Sequence, residues 1–204
     1  MIEGMNVPYR QIRADFTDQA ITVYQAYEPA IAAPAVASQR FVPPFKRERM
    51  TWIKPSFLWM MYRCGWATKP GQTRVLAVAI TREGFEWALG HSCLSHPDSG
   101  TDQATWKKRL RDSPVRVQWD PERDPHHNAL PHRSVQVGLS GDAVTRYVDQ
   151  WVVRITDLTD RVHDIRQALR ERKDVTDLLP VERPYPLPME LAQAIGANVT
   201  PDLG

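Results

Sequence analysis

The sequence predicts one α+β domain, a mixed sheet of short strands flanked by helices, with a Pro-rich C-terminal tail. Three observations carry that reading. Runs of period-two hydrophobicity, such as Val75–Ile80 and Val115–Trp119, are interleaved with runs at helical spacing. The order they form, β-α-β-α-β-α-β-β-α-β-α with short strands, does not suit a regular parallel sheet. At 204 residues, 42% hydrophobic and 25% charged, the chain is large enough to bury one sizeable core.

Taken in order, Met1–Pro8 reads as a leader, residues 9–179 as the domain and residues 180–204 as the tail. Tyr9–Ala14 is a short candidate strand. Asp15 to Asp18 offer N-caps for a helix from Gln19 toward Ala37, broken at Pro29 and Pro34, because Ile21, Tyr24, Gln25 and Glu28 fall on helical spacing. Arg40–Lys46 reads as extended and Met50–Lys54 as a strand. An almost wholly apolar helix, Phe57–Arg63, starts with Ser56 as cap or Pro55 in its first turn, and Gly65 stops it. Val75–Ile80 is the clearest strand, and Thr81 caps a helix to about Leu89. After the polar loop Ser95–Gly100 come a basic helix, Gln103–Arg111, and a strand, Val115–Trp119. Asp120–His132 reads as a long Pro- and His-rich loop. Ser134–Leu139 is a strand, Ala143–Gln150 a helix, Trp151–Ile155 a strand and Thr159–Lys173 an amphipathic helix. In the tail, Pro180, Pro184, Pro186, Pro188 and Pro201 favour irregular chain, with a short helix at Met189–Ile195.

Net charge is only +2, but it is unevenly spread. Residues 9–74 carry ten Lys/Arg against four Asp/Glu, whereas residues 140–182 carry seven against nine. That asymmetry suits either an anionic ligand or partner on the N-terminal half or a solvated basic face. Cys64 and Cys93 lie in unrelated contexts with no C-x-x-C spacing, which argues against zinc or redox chemistry. His126, His127 and His132 do not have metal-ligand spacing, and the phosphate-loop, Rossmann and nucleophile-elbow patterns are absent. The N-terminus lacks the apolar core of a signal peptide and no run reaches about 18 apolar residues, so a cytoplasmic protein without a membrane span is expected.

The informative segment is residues 40–66, with six bases, one acid and seven aromatics. Guanidinium and ammonium groups bind phosphate oxygens, and flat aromatic faces stack on bases, so the mixture suits a nucleotide or nucleic acid. Phe57, Leu58, Trp59 and Met61 read as core of the apolar helix. Lys46, Arg47, Arg49 and Lys54, mixed with Trp52, are the anion-binding candidates. Arg10 and Arg13 would project from the first strand, and Tyr24 and Tyr27 would either line the same cleft or pack in the core. In Arg133–Leu139, Ser134 and Gln136 project together from an otherwise buried strand and mark a second polar border.

Arg10-Gln11-Ile12-Arg13, Val23–Tyr27, Phe41–Lys46, Met50–Arg63 and Arg133–Leu139 together resemble the family called domain of unknown function 4291, over roughly residues 8–182. More distantly the chain resembles ADP-ribosyltransferases, which split NAD and pass on ADP-ribose. That resemblance implies NAD as co-substrate without a metal. Arg10 or Arg13 would hold the pyrophosphate, and Tyr24, Tyr27, Trp52, Lys54 and Ser56 would frame the cofactor. Lys46, Arg47, Arg49 and Arg133 would guide a nucleic-acid acceptor. Gln136 would stand where the family has a late Glu, and a neutral amide stabilises developing positive charge less well than a carboxylate. The alternative expectation is a non-enzymatic RNA- or DNA-binding module that uses the same basic, aromatic segment.

Overall fold

A computed structural model describes residues 7–97 and 101–198. Most of the leader, residues 98–100 of the Ser95–Gly100 loop and residues 199–204 of the tail lie outside the described residues. The first strand is short, β1 (Arg13–Ala14), and is followed by β2 (Ala20–Tyr27), α1 (Pro29–Ser38), β3 (Thr51–Ile53) and α2 (Phe57–Cys64). Next come β4 (Arg74–Thr81), α3 (Arg82–Gly90), β5 (Ser92–Leu94) and α4 (Gln103–Asp112). The hairpin β6 (Val115–Arg123) and β7 (Ala129–Leu139) leads to α5 (Asp142–Arg146) and a π-helical turn, Tyr147–Trp151. Strand β8 (Val152–Asp157), α6 (Thr159–Arg170), a 3-10 turn at Thr176–Leu178, β9 (Arg183–Pro184) and α7 (Met189–Ala194) complete the chain.

The strands form an antiparallel three-stranded sheet, β2-β4-β8, and a mixed four-stranded sheet, β3-β7-β6-β5, in which only β5 and β6 run parallel. Strand β1 pairs with β9 in a small third sheet. Ile21, Val23, Leu76, Val78, Ile80 and Ile155 from the first sheet meet Ile53, Val115, Val117, Val135, Val137 and Leu139 from the second in one main core. A second core lies on the other face of the three-stranded sheet. There Tyr24 and Val75 pack against Phe57, Met60 and Met61 of α2 and Val162 and Ile165 of α6. The α+β class and the mixed sheets expected from the sequence are therefore present.

Several elements differ from the expected ones, for identifiable reasons. The segment expected to be helical from Gln19 to Ala37 is strand β2 up to Tyr27, and helix α1 starts only at Pro29. All eight residues of β2 pair with β4, and cross-strand pairing with a β-branched partner outweighs the helical spacing of Ile21, Tyr24 and Gln25. The expected loop Asp120–His132 is largely the hairpin β6–β7. Its turn is closed by the Asp124 carboxylate, which accepts from the backbone N–H groups of His126 and Asn128. The strand expected at Tyr9–Ala14 shrinks to two residues plus an isolated bridge from Arg10 to Arg133. Arg40–Lys46, expected to be extended, runs into turns around a cis Pro43–Pro44 bond. The helix expected to reach Gln150 ends at Arg146 in the π-helical turn, so the next strand starts at Val152. Strand β5 had no expected counterpart.

Capping follows the sequence where it gave clear signals. The Ser56 side chain accepts from Trp59 N at 3.1 Å, and Gly65 at φ 61° ends the helix in the left-handed region that favours glycine. The proline-rich tail is not merely laid on the surface: Tyr185 and Ile195 are buried in the main core, and Trp119 Nε1 donates to Ile195 O at 2.8 Å. Cys64 and Cys93 are both free thiols. No described helix is long and apolar enough to cross a membrane.

Candidate functional site

The two main sheets touch at one backbone bridge, Tyr24 to Lys54, and part beyond it. Past the bridge the gap between β2 and β3 is filled by the side chain of Gln25. Its Nε2 donates to Thr51 Oγ1 at 2.7 Å and to Trp52 O at 3.2 Å, and its Oε1 accepts from Tyr147 Oη at 2.6 Å. The Tyr27 hydroxyl lies 3.1 Å from the same Thr51 Oγ1. These buried polar groups satisfy one another, as a low-dielectric interior requires, and they fix the angle at which the strands diverge.

The divergence opens a cleft of about 610 Å³, within the range of small-molecule sites. One wall is β2 (Gln25, Tyr27) with the start of α1 (Glu28, Ile31); the other is β3 (Thr51, Trp52) and Lys54 just after it, with Met60 and Arg63 of α2. The turns at Pro44–Met50 supply Lys46 and Arg49. Phe45 anchors those turns against Tyr27 and Phe41, at ring-centroid distances of 6.0 and 4.7 Å. Trp52 is seated by Gly138: a Cβ there would lie 2.9 Å from the indole and 3.0 Å from Met50 Sδ, so only glycine lets the ring lie on β7.

Four cations line this cleft, Lys46, Arg49, Lys54 and Arg63, and none forms an ion pair among the described residues. Glu28 is the acid that lines it. Other basic residues nearby are already engaged: Asp149 takes a bidentate pair from Arg47 at 2.7 and 2.8 Å and also binds Arg40. The paired guanidinium groups hold Asp149 down at about 2. Lys54 is only 6% exposed, and Nζ has one weak acceptor, Trp52 O at 3.5 Å. Burial and the Arg63 charge lower its pKa to about 8, against the opposing pull of Asp120 and Cys64.

Behind Lys54 the outward face of the four-stranded sheet is polar. Register places Trp52, Gly138 and Arg116 in one row, followed by Gln136 with Gln118 and Ser134 with Asp120. Asp120 accepts from Gln118 Nε2 at 2.8 Å and from Gln136 Nε2 at 2.7 Å. The Ser134 hydroxyl is buried and has no hydrogen-bond partner among the described residues. At the N-terminus of α2, Phe57 N donates to Glu182 Oε1 at 2.6 Å, and Glu122 Oε1 accepts from Arg123 N at 2.8 Å. Burial raises both carboxyls, Glu182 to about 8.

Of the residues singled out from the sequence, Tyr27, Trp52, Lys54, Lys46 and Arg49 meet in the cleft. Tyr24 is core, packed edge-on against Phe57 at 5.4 Å. Ser56 is the cap of α2 and Gln136 is held by Asp120. Arg13 donates to Glu182 O at 3.0 Å, Arg10 lies on the C-terminal segment near Gly196 O at 3.5 Å, and Arg133 binds Tyr9 Oη at 2.6 Å and Trp119 O at 3.0 Å. Sequence reasoning missed Gln25, Thr51 and Arg63 in the cleft, and Glu122 and Glu182 behind it. Arg63 had a signal, three residues after Met60 on the same helical face. Among the described residues no group of His, Cys, Asp or Glu is placed to hold a metal ion.

Fold and site together define a class: an α+β domain whose two sheets part around a cationic, aromatic cleft. The chain belongs to the family described as domain of unknown function (DUF4291), whose model matches residues 11–185. A search of curated proteins finds no match.

Proposed function

We propose that the cleft binds a phosphate-bearing nucleotide, and that the nucleotide is NAD, used as an ADP-ribose donor with nucleic acid as acceptor. The observation that carries the reading is the convergence of four cations without carboxylate partners on a cleft walled by Trp52 and Tyr27. Cations left without carboxylates around one concavity favour a ligand that brings its own negative charge, and an indole beside them favours one with a flat ring. In this reading Lys46, Arg49 and Arg63 hold phosphate oxygens and Trp52 stacks on a ring. Arg10 and Arg13, bound to the C-terminal segment, take no part in phosphate binding. Asp120 holds Gln136 and its charge acts on Lys54, but it does not line the cleft.

The direct test incubates the protein with NAD labelled in the adenylate phosphate, together with RNA and with single- and double-stranded DNA. Label transfer that disappears in Arg63→Ala supports the reading. A second reading, nucleic-acid binding without turnover, is favoured by a shallow basic concavity of about 230 Å³ lined by Trp66, His126, His127, Arg166 and Arg170. Intact NAD, with nucleic acid bound in a steeply salt-dependent way, would favour that alternative.

A further inference from the structure

We propose that Lys54 is a nucleophile, an amine at the foot of the cleft that forms an imine with the carbonyl carbon of a phosphorylated aldehyde or ketone. The proposal rests on the reading that the cleft takes a phosphate and adds covalent chemistry to its floor. Geometry separates Lys54 from the other cleft cations. Lys46, Arg49 and Arg63 are exposed around the cleft, whereas Lys54 is buried yet still lines it. A lysine retained for structure in such a place is ordinarily paired with a carboxylate, because an unpaired buried ammonium is costly. Lys54 has no carboxylate within 4.0 Å among the described residues.

The groups that face it are Arg63 and Cys64 from α2 and Asp120 from β6. Desolvation and Arg63 dominate, so a substantial fraction of the side chain is neutral amine near pH 8, where exposed lysines are almost wholly protonated. The proposal places the phosphate on Lys46, Arg49 and Arg63 and the carbonyl, a few bonds away, at Lys54, which lines the same cleft.

The Nζ lone pair attacks the carbonyl carbon and a C–N bond forms. The π electrons pass to the oxygen, which takes a proton while the nitrogen releases one to solvent. A second proton from solvent turns that hydroxyl into water, whose departure with the C–O bonding pair leaves a protonated imine; addition of water with return of the proton to solvent restores the amine and the carbonyl compound. No oxidant or reductant is consumed.

The test treats the full chain with pyridoxal 5′-phosphate, reduces any imine with borohydride and maps the modified lysines by peptide mass spectrometry. The chain has six lysines, which makes Lys107 and Lys108 on the exposed face of α4 internal controls. The expected result is labelling of Lys54 about tenfold or more above those controls, half-maximal near pH 8. Pyridoxal, which lacks the phosphate, should label Lys54 about tenfold less. Equal labelling by the two aldehydes would keep the nucleophile and remove the phosphate-binding reading. Lys54→Arg keeps the charge and should lose the adduct with its circular dichroism unchanged. Labelling confined to exposed lysines in the folded wild-type chain, by both aldehydes, would overturn the proposal whether or not the variant folds.

Discussion

The backbone N–H of Tyr24 donates to the carbonyl of Lys54 at 2.7 Å, and this bridge ties the two main sheets together just before they part. Tyr24 sends its ring into the core under α2, and Lys54 sends its ammonium to the cleft floor. One bridge therefore couples the packing of α2 to the geometry of the site.

Gln25 holds the opening next to that bridge. Gln25→Leu would strand the buried Tyr147 hydroxyl, at about 1–3 kcal/mol, and would take from Thr51 Oγ1 one of its two partners, leaving Tyr27 Oη. We expect the variant to be destabilised by about 2–4 kcal/mol in urea unfolding, with weaker ligand binding in the fraction that remains folded.

Gly138→Ala tests the wall rather than the frame. The added methyl would meet the Trp52 indole at 2.9 Å, and the ring is the part able to move. The expected cost is about 1–3 kcal/mol in stability. Nucleotide affinity should fall about as far as in Trp52→Ala, measured by equilibrium titration of both variants.

Charge should matter by position and not by number. Arg63→Ala removes an unpaired cleft guanidinium and should weaken nucleotide binding about tenfold, the equivalent of one charge-assisted hydrogen bond. Arg47→Ala removes a guanidinium already bound to Asp149 and should leave affinity within about twofold. Equal losses in both variants would place the ligand outside the cleft.

Val75–Ile80, Thr81 and Ser56 carry strong local signals, and their elements formed as expected. Segment 40–66 was recognised by composition, and five of the candidates (Lys46, Arg49, Trp52, Lys54 and, from β2, Tyr27) lie together. What sequence could not carry was partnership. Arg47 and Arg49 look alike in the chain, yet Asp149, about a hundred residues away, removes one of them from the free cations. Gln25 looked like a helical residue because its role depends on β3, and Glu122 and Glu182 become a site only when the β1–β9 pair brings the tail to the start of α2.

Glu182 makes stability depend on pH. Burial, reinforced by the charges of Glu122 and Asp15, raises its carboxyl from the usual 4.5 to about 8, against the Phe57 N–H and Arg13. The folded state holds a proton that the unfolded chain releases near 4.5, so this contribution is complete below that pH. It is lost as pH rises through about 8. Glu122 is raised in the same direction. Measured against Glu182→Gln, the urea midpoint of the wild type should therefore fall as pH rises from about 5 to 8. A wild type that gains stability on the variant over this range would contradict the assignment.

Calorimetric titration of NAD into the wild type and into Arg49→Ala/Arg63→Ala tests whether the unpaired cations in the split between the sheets hold a nucleotide. Binding to the wild type should be saturable and one-to-one, weakened about a hundredfold in the double variant and little changed in Arg40→Ala/Arg47→Ala. No binding to the wild type, or equal binding to all three, would contradict that role.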